Sequence, residues 1–187
     1  MKKMEQALEV SRSFESGSMA AHRVSAAGLA FATKAESSKS AAEELAALKV
    51  AAGEDSVIGS ALAKVPTSVK SGVPTLAELQ AKFEKVHSVG RQAALVPEGR
   101  TGVGGQLFGM AFARLTIPPS PESISEGEGA TDTSPEYVLA RARRHVQLGD
   151  LECAVGELDK LQGQAGFVMS DWKQAAMDRI SLEKAVK

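Results

Sequence analysis

Apolar residues in this chain recur at intervals of three and four through most of its length, the spacing that gathers them on one face of a helix. The clearest stretch is Gly149-Asp150-Leu151-Glu152-Cys153-Ala154-Val155-Gly156-Glu157-Leu158-Asp159-Lys160-Leu161. Leu151, Ala154, Val155, Leu158 and Leu161 fall on one side, with Glu152, Glu157 and Asp159 expected outside. Gly149 is suited to close the preceding helix in the left-handed conformation, and Asp150 to cap the next one. The pair is predicted to be an architectural joint, and the stripe after it needs cover from elsewhere.

Upstream, residues 3 to about 52 lack proline and are rich in Ala, Ser, Glu and Lys, which predicts helix. Phe14, Val24, Ala27, Phe31, Leu45 and Leu48 give an intermittent apolar stripe. Ser16-Gly17-Ser18 and Ser37-Ser38 are the weak points where it should bend or break. The stripe fits a helix packed on protein, and also a surface helix with Phe14 and Phe31 inserted into lipid. Seven Lys and Arg against six Glu over residues 1–50 make the polar face mixed rather than basic, which weakens the lipid reading. Gly53 should end this segment, Asp55 or Ser56 open a short helix with Val57, Ile58, Leu62 and Val65, and Pro66 stop it. Thr75-Leu76-Ala77-Glu78 is a capping-box pattern heading a helix with Leu76, Leu79, Phe83, Val86 and Ala94. Val73 is placed to staple onto Leu79, and Pro97 should end the helix near Val96.

The glycine-rich run from Gly99 to Gly105 lacks the lysine of a phosphate loop, the dinucleotide glycine spacing and a preceding strand, so it reads as a surface loop. Gln106 to Leu115 should be a short buried helix, and residues 118–134, acidic and rich in Pro, Gly and Ser, a mobile loop. Ser134-Pro135-Glu136 is a helix start. Beyond it Tyr137, Val138, Ala142 and Val146 should face inward. Arg141, Arg144 and His145 share a side, as a solvated basic face or a docking strip for an acidic partner or lipid headgroups. Gly163 and Gly166 are expected to turn the chain, and Ser170-Asp171-Trp172 to start a last helix in which Trp172 seals the core.

Composition narrows the picture. With 43% hydrophobic but only 4% aromatic residues, the core must be built from Leu, Val and Ala, which favours packed helices over a β-sandwich. The net charge of −1 gives no support to nucleic-acid binding. No apolar run approaches the roughly 18 residues of a membrane span. Cys153, alone, excludes an internal disulfide and is expected as a small buried filler. His22, His87 and His145 are far apart in sequence and lack metal-ligand spacing, and no nucleophile motif is present. The sequence therefore argues against an enzyme and calls for no cofactor or metal.

The order of motifs resembles the C-terminal domain of the mitofilin family, the large subunit of the mitochondrial contact-site and cristae-organising (MICOS) complex. The pieces are Leu45-Ala46-Ala47-Leu48, Gly53-Glu54-Asp55, Val65-Pro66, Gly72-Val73, Leu79 with Phe83, and Ala94-Leu95-Val96-Pro97-Glu98. They continue with Leu139-Ala140-Arg141-Ala142, Gly149-Asp150-Leu151-Glu152-Cys153-Ala154-Val155, Leu161-Gln162-Gly163 and Asp171-Trp172. The likeness covers roughly residues 40–187. It implies an all-α domain facing the intermembrane space from the mitochondrial inner membrane, with targeting, transmembrane and coiled-coil segments upstream. It also implies a scaffold that organises cristae junctions and contact sites by binding a CHCH-domain subunit, self-associating as a homo-oligomer and touching membrane through helices near its start.

The resulting expectation is an all-α small helical bundle. Residues 1–50 form an extended helical segment that contacts membrane or self-associates, and residues 51–187 a helical domain with a disordered acidic loop at 118–134. Gly149, Asp150, Leu151, Val155, Leu158 and Trp172 are its joint and core, Phe14 and Phe31 its membrane contacts, and Arg141, Arg144 and His145 its partner surface. The alternative is a tetratricopeptide-like helical adaptor, whose turn the Gly149-Asp150 corner resembles. Only one copy of that repeat is present, where a stable array needs about three.

Overall fold

The computed structural model describes residues 2–53, 55–95, 119 and 131–186, and every regular element among them is a helix. The predicted glycine-rich loop, the Gln106–Leu115 helix and the 118–134 loop apart from residues 119 and 131–134 lie outside the described residues. The chain divides into two compact units, residues 1–73 with 181–187 and residues 74–180. The expected boundary near residue 50 thus falls inside the first unit, within its second helix.

The first unit opens with α1 (Lys2–Ala35), which runs through Ser16-Gly17-Ser18 without a break. The break comes instead at the Ser37-Ser38 weak point, before α2 (Ala42–Ala52). Gly53 ends α2 and Asp55 caps α3 (Ser56–Leu62), its carboxylate accepting from the amides of Val57 and Ile58. A 3₁₀ turn, Thr67–Lys70, follows Pro66. Phe31, Ala35, Ala41, Leu45, Leu48, Val69, Val73 and Leu182 make the core. The chain around Ser40 is fastened to the 3₁₀ turn by Ala41 N–H donating to the Val69 carbonyl (3.1 Å) and the Ser40 hydroxyl to the Lys70 carbonyl (2.7 Å). Val73, expected to staple onto Leu79, belongs to this core instead.

The second unit begins with α4 (Leu76–Ala94), headed by the predicted capping box of Thr75 and Glu78. It continues through α5 (Pro135–Leu148), α6 (Leu151–Leu158) and α7 (Gly163–Val186), whose last residues belong to the first unit. Ser134 holds the cap position of α5 but its side chain bonds no helix amide; Pro135 and Glu136 occupy the first turn as expected. The core joins Leu79 and Phe83 of α4, Val138, Leu139, Ala142 and Val146 of α5, the α6 stripe, and Ala165, Met169, Trp172 and Ala176 of α7. Trp172 seals it, its ring edge-on to Phe83 at 4.7 Å. The helix bearing Trp172 starts at Gly163, not at Ser170. Gly166 does not turn the chain; it lies within α7, where an added Cβ would stand 2.9 Å from the Leu161 carbonyl oxygen, so its glycine permits a close approach.

Candidate functional site

The α5–α6 corner has the geometry its sequence foretells. Gly149 has φ 81°, and two carbonyls of the last turn of α5 are satisfied across it. The Gly149 amide donates to Val146 (3.0 Å) and the Asp150 amide to His145 (2.9 Å), the paired bonds of a Schellman ending. Asp150 Oδ1 then accepts from the Cys153 amide at 2.9 Å, capping α6. Leu151, Val155 and Leu158, which follow this corner, are buried in the core of the second unit.

The polar side chains at this corner depart from the sequence reading. Arg141, expected on a partner surface, is only 7% exposed, its Nε 3.0 Å from a Glu157 oxygen. Glu157, expected outside, is half-buried and also takes Lys160 at 2.7 Å. Burial works to raise the Glu157 carboxyl, but hydrogen bonds from Lys160 and Arg141 outweigh it and hold it below the usual carboxylate range. Periodicity could not show this, because a buried arginine is tolerated only where a carboxylate is in reach, and Glu157 stands sixteen residues away. Of the predicted strip, Arg144 is exposed and His145 half-buried, so the three do not form one surface.

Cys153 corrects a second expectation. It is exposed rather than a core filler, because it follows Glu152 on the outer side of α6. It stands beside Asp150 and His145, whose Nδ1 is 3.8 Å from Asp150 Oδ2. One ligand atom from each of the three lies within 4.8 Å of the others. The Asp150 carboxylate, accepting from the Cys153 backbone and side chain, is held below its usual range, and the thiol is pushed up in turn. Sequence spacing hid the cluster, since the left-handed corner folds His145 back over the cap.

A second candidate surface lies on α1. From Met4 to Arg23 the described side chains are all exposed. At 100° per residue Ala7, Val10, Ser11, Phe14 and Ser18 share one side, and with Glu15 and Met19 they line one shallow surface. Glu5, Glu9, Arg12 and Ser16 stand opposite. Phe14 is 82% exposed, but Phe31 is 3% exposed in the first unit's core. The assignment of Phe31 to lipid is therefore wrong: the helix turns that position toward α2, with Ala27 and Ala35 beside it. No helix among the described residues is long and apolar enough to cross a membrane.

The profile of the mitofilin family, described as a mitochondrial inner membrane protein, matches residues 1–187. The chain belongs to that family. Its relatives include the MICOS complex subunit mic60 of Penicillium rubens, 31% identical over 140 residues, or 74% of this chain and 20% of the relative. The subunit of the same name in Neurospora crassa is 30% identical over 145 residues (77% and 20%), and that of Phaeosphaeria nodorum 34% over 130 (69% and 20%). The chain thus spans about a fifth of the length of the curated relatives it matches. No solved structure matches it. The family match takes in α1 as well, more than the stretch from about residue 40 that carries the motifs.

Proposed function

We propose that this chain is the helical interaction domain of a MICOS-type scaffold that organises cristae junctions and contact sites, structural rather than catalytic, facing the intermembrane space. Its second unit docks a small CHCH-domain subunit, with the exposed Arg144 of α5 on the docking side. Its first unit touches the inner-membrane surface through α1, and the assembled scaffold is a homo-oligomer. Membership of a family described as mitochondrial inner membrane protein, and relatives named as subunits of the complex, favour this reading over the tetratricopeptide-like adaptor.

The observation that carries the membrane part is the exposed surface of α1 between Ala7 and Met19, with Val10 and Phe14 as its large apolar side chains on one side. An amphipathic helix of this kind lies in the headgroup region, gaining roughly 25 cal/mol for each Å² of apolar area removed from water. α1 carries five basic against three acidic residues, which favours an anionic surface modestly. Phe14, not Phe31, is the side chain that inserts.

Co-sedimentation with vesicles containing anionic phospholipid tests this, beside a pull-down with intermembrane-space CHCH proteins. Phe14→Asp should abolish vesicle binding and leave the pull-down and the circular dichroism unchanged. Vesicle binding unaffected by Phe14→Asp would sink the membrane assignment. Sedimentation velocity on the same variant separates lipid contact from self-association through α1, and absence of any CHCH partner would remove the docking role.

A further inference from the structure

The corner between α5 and α6 holds the three kinds of side chain that borderline transition metals prefer together: an imidazole, a carboxylate and a thiol. We propose that His145, Asp150 and Cys153 form a binding site for a single divalent transition cation of the zinc class, with a fourth position open to water or to a donor from a partner. Tetrahedral zinc sites place their ligand atoms roughly 3.2–3.8 Å apart, from bond lengths of about 2.0–2.3 Å. Here the atoms already lie within 4.8 Å of one another, and the His145–Asp150 pair is at 3.8 Å. Small side-chain rotations complete the set.

The backbone is fixed for the purpose. The Schellman bonds hold His145 and Asp150 in register across the left-handed Gly149, and the cap fixes Asp150 against Cys153. The cap uses Oδ1 only, and Oδ2 is the oxygen that faces the imidazole. Binding replaces a proton: the thiol loses H⁺ to solvent as its sulfur bonds the cation, which then also neutralises the Asp150 carboxylate. The carbonyl end of α5 at the same corner offsets the unfavourable positive end of α6.

Cobalt(II) tests the site, because a tetrahedral thiolate complex absorbs by sulfur-to-metal charge transfer and this chain has one cysteine. The untagged 187-residue chain should bind one Co²⁺ with that band, and Zn²⁺ should bleach it. Cys153→Ser should abolish the band. His145→Gln and Asp150→Asn should each weaken binding by at least about tenfold, since even an outer-shell partner is worth that much. Asn still caps a helix, so Asp150→Asn removes a ligand charge while keeping the fold, checked by circular dichroism. Absence of the band at micromolar cobalt, or a band that His145→Gln and Asp150→Asn leave unchanged, overturns the proposal.

Discussion

The indole N–H of Trp172 donates to the backbone carbonyl of Leu79 at 2.9 Å, inside the core of the second unit. The same ring meets Phe83, one turn beyond Leu79, edge-on at 70°. One side chain thus ties α7 to α4 twice, through a buried hydrogen bond and through aromatic packing. Trp172→Phe keeps most of the packing and loses the bond, for an expected cost of about 1–2 kcal/mol. Trp172→Ala also opens a cavity and should cost about 3–5 kcal/mol. Urea unfolding followed by circular dichroism checks both, and equal losses would show that the bond dominates.

Arg141 and Glu157 make a pair that is nearly out of water, with side chains 9% and 15% exposed. Removing one partner from such a pair strands the other, whereas replacing both with apolar groups removes the desolvation cost as well. Arg141→Met alone should destabilise the second unit by about 3 kcal/mol, and Arg141→Met with Glu157→Leu by clearly less. Lys160 still neutralises Glu157 in the single variant, which places the expected loss at the low end of buried pairs. A double-mutant cycle reads the coupling, and strict additivity would refute it.

Much of this fold was legible because its signals are local. The Thr75–Glu78 box, the Asp55 and Asp150 caps and the left-handed Gly149 are each decided within four residues of chain. The α6 stripe was legible for the same reason, and Trp172 as a core residue by its bulk. What escaped is set by partners distant in sequence. Arg141 is buried because Glu157 waits in the next helix, and Phe31 turns inward because Leu45 and Leu48 lie across from it. Gly166 gives the same signal as a turn glycine although it serves helix packing. The proposed membrane surface was half legible: apolar spacing picks out both Phe14 and Phe31, but exposure separates them, and only the folded chain supplies it.

His87 gives the second unit a pH dependence. It is 8% exposed beside Phe83, and burial, then Arg143, depress its pKa from 6.5 to about 4. Its folded pKa is the lower one, so between these values the unfolded chain holds more protons than the folded one. Stability is therefore full above pH 6.5 and falls as pH drops toward 4, by roughly 3 kcal/mol over the window. Glu84 and Glu157, with carboxyls held low, add their losses only below about pH 4.5. Between pH 7 and 5 the slope belongs to His87 among these groups, and His87→Phe should flatten it. Urea titrations followed by Trp172 fluorescence test this, and an unchanged slope would count against a buried neutral imidazole.

Gly72 and Gly149 both have positive φ, at 103° and 81°, yet their surroundings differ. A Cβ on Gly149 would meet only the end of the Leu76 side chain, at 3.4 Å, which can move. A Cβ on Gly72 would collide with the backbone carbonyl oxygen of Ser38, and that segment is held by the Ala41–Val69 and Ser40–Lys70 bonds. Both alanine variants carry the left-handed penalty of about 1–2 kcal/mol. Gly149→Ala should lose little more than that, read by Trp172 fluorescence in urea. Gly72→Ala must also push two fixed strands of backbone apart, and should lose more than about 3 kcal/mol, as expected when strain adds to a forbidden contact. Hydrogen exchange at the Ala41 amide reports the first unit directly, because that amide is bonded to Val69. Its protection should fall by over a hundredfold in Gly72→Ala, roughly the ratio that such a loss implies. Protection within about tenfold of the parent would mean that the Ser38 segment yields, and that the left-handed penalty is the whole cost.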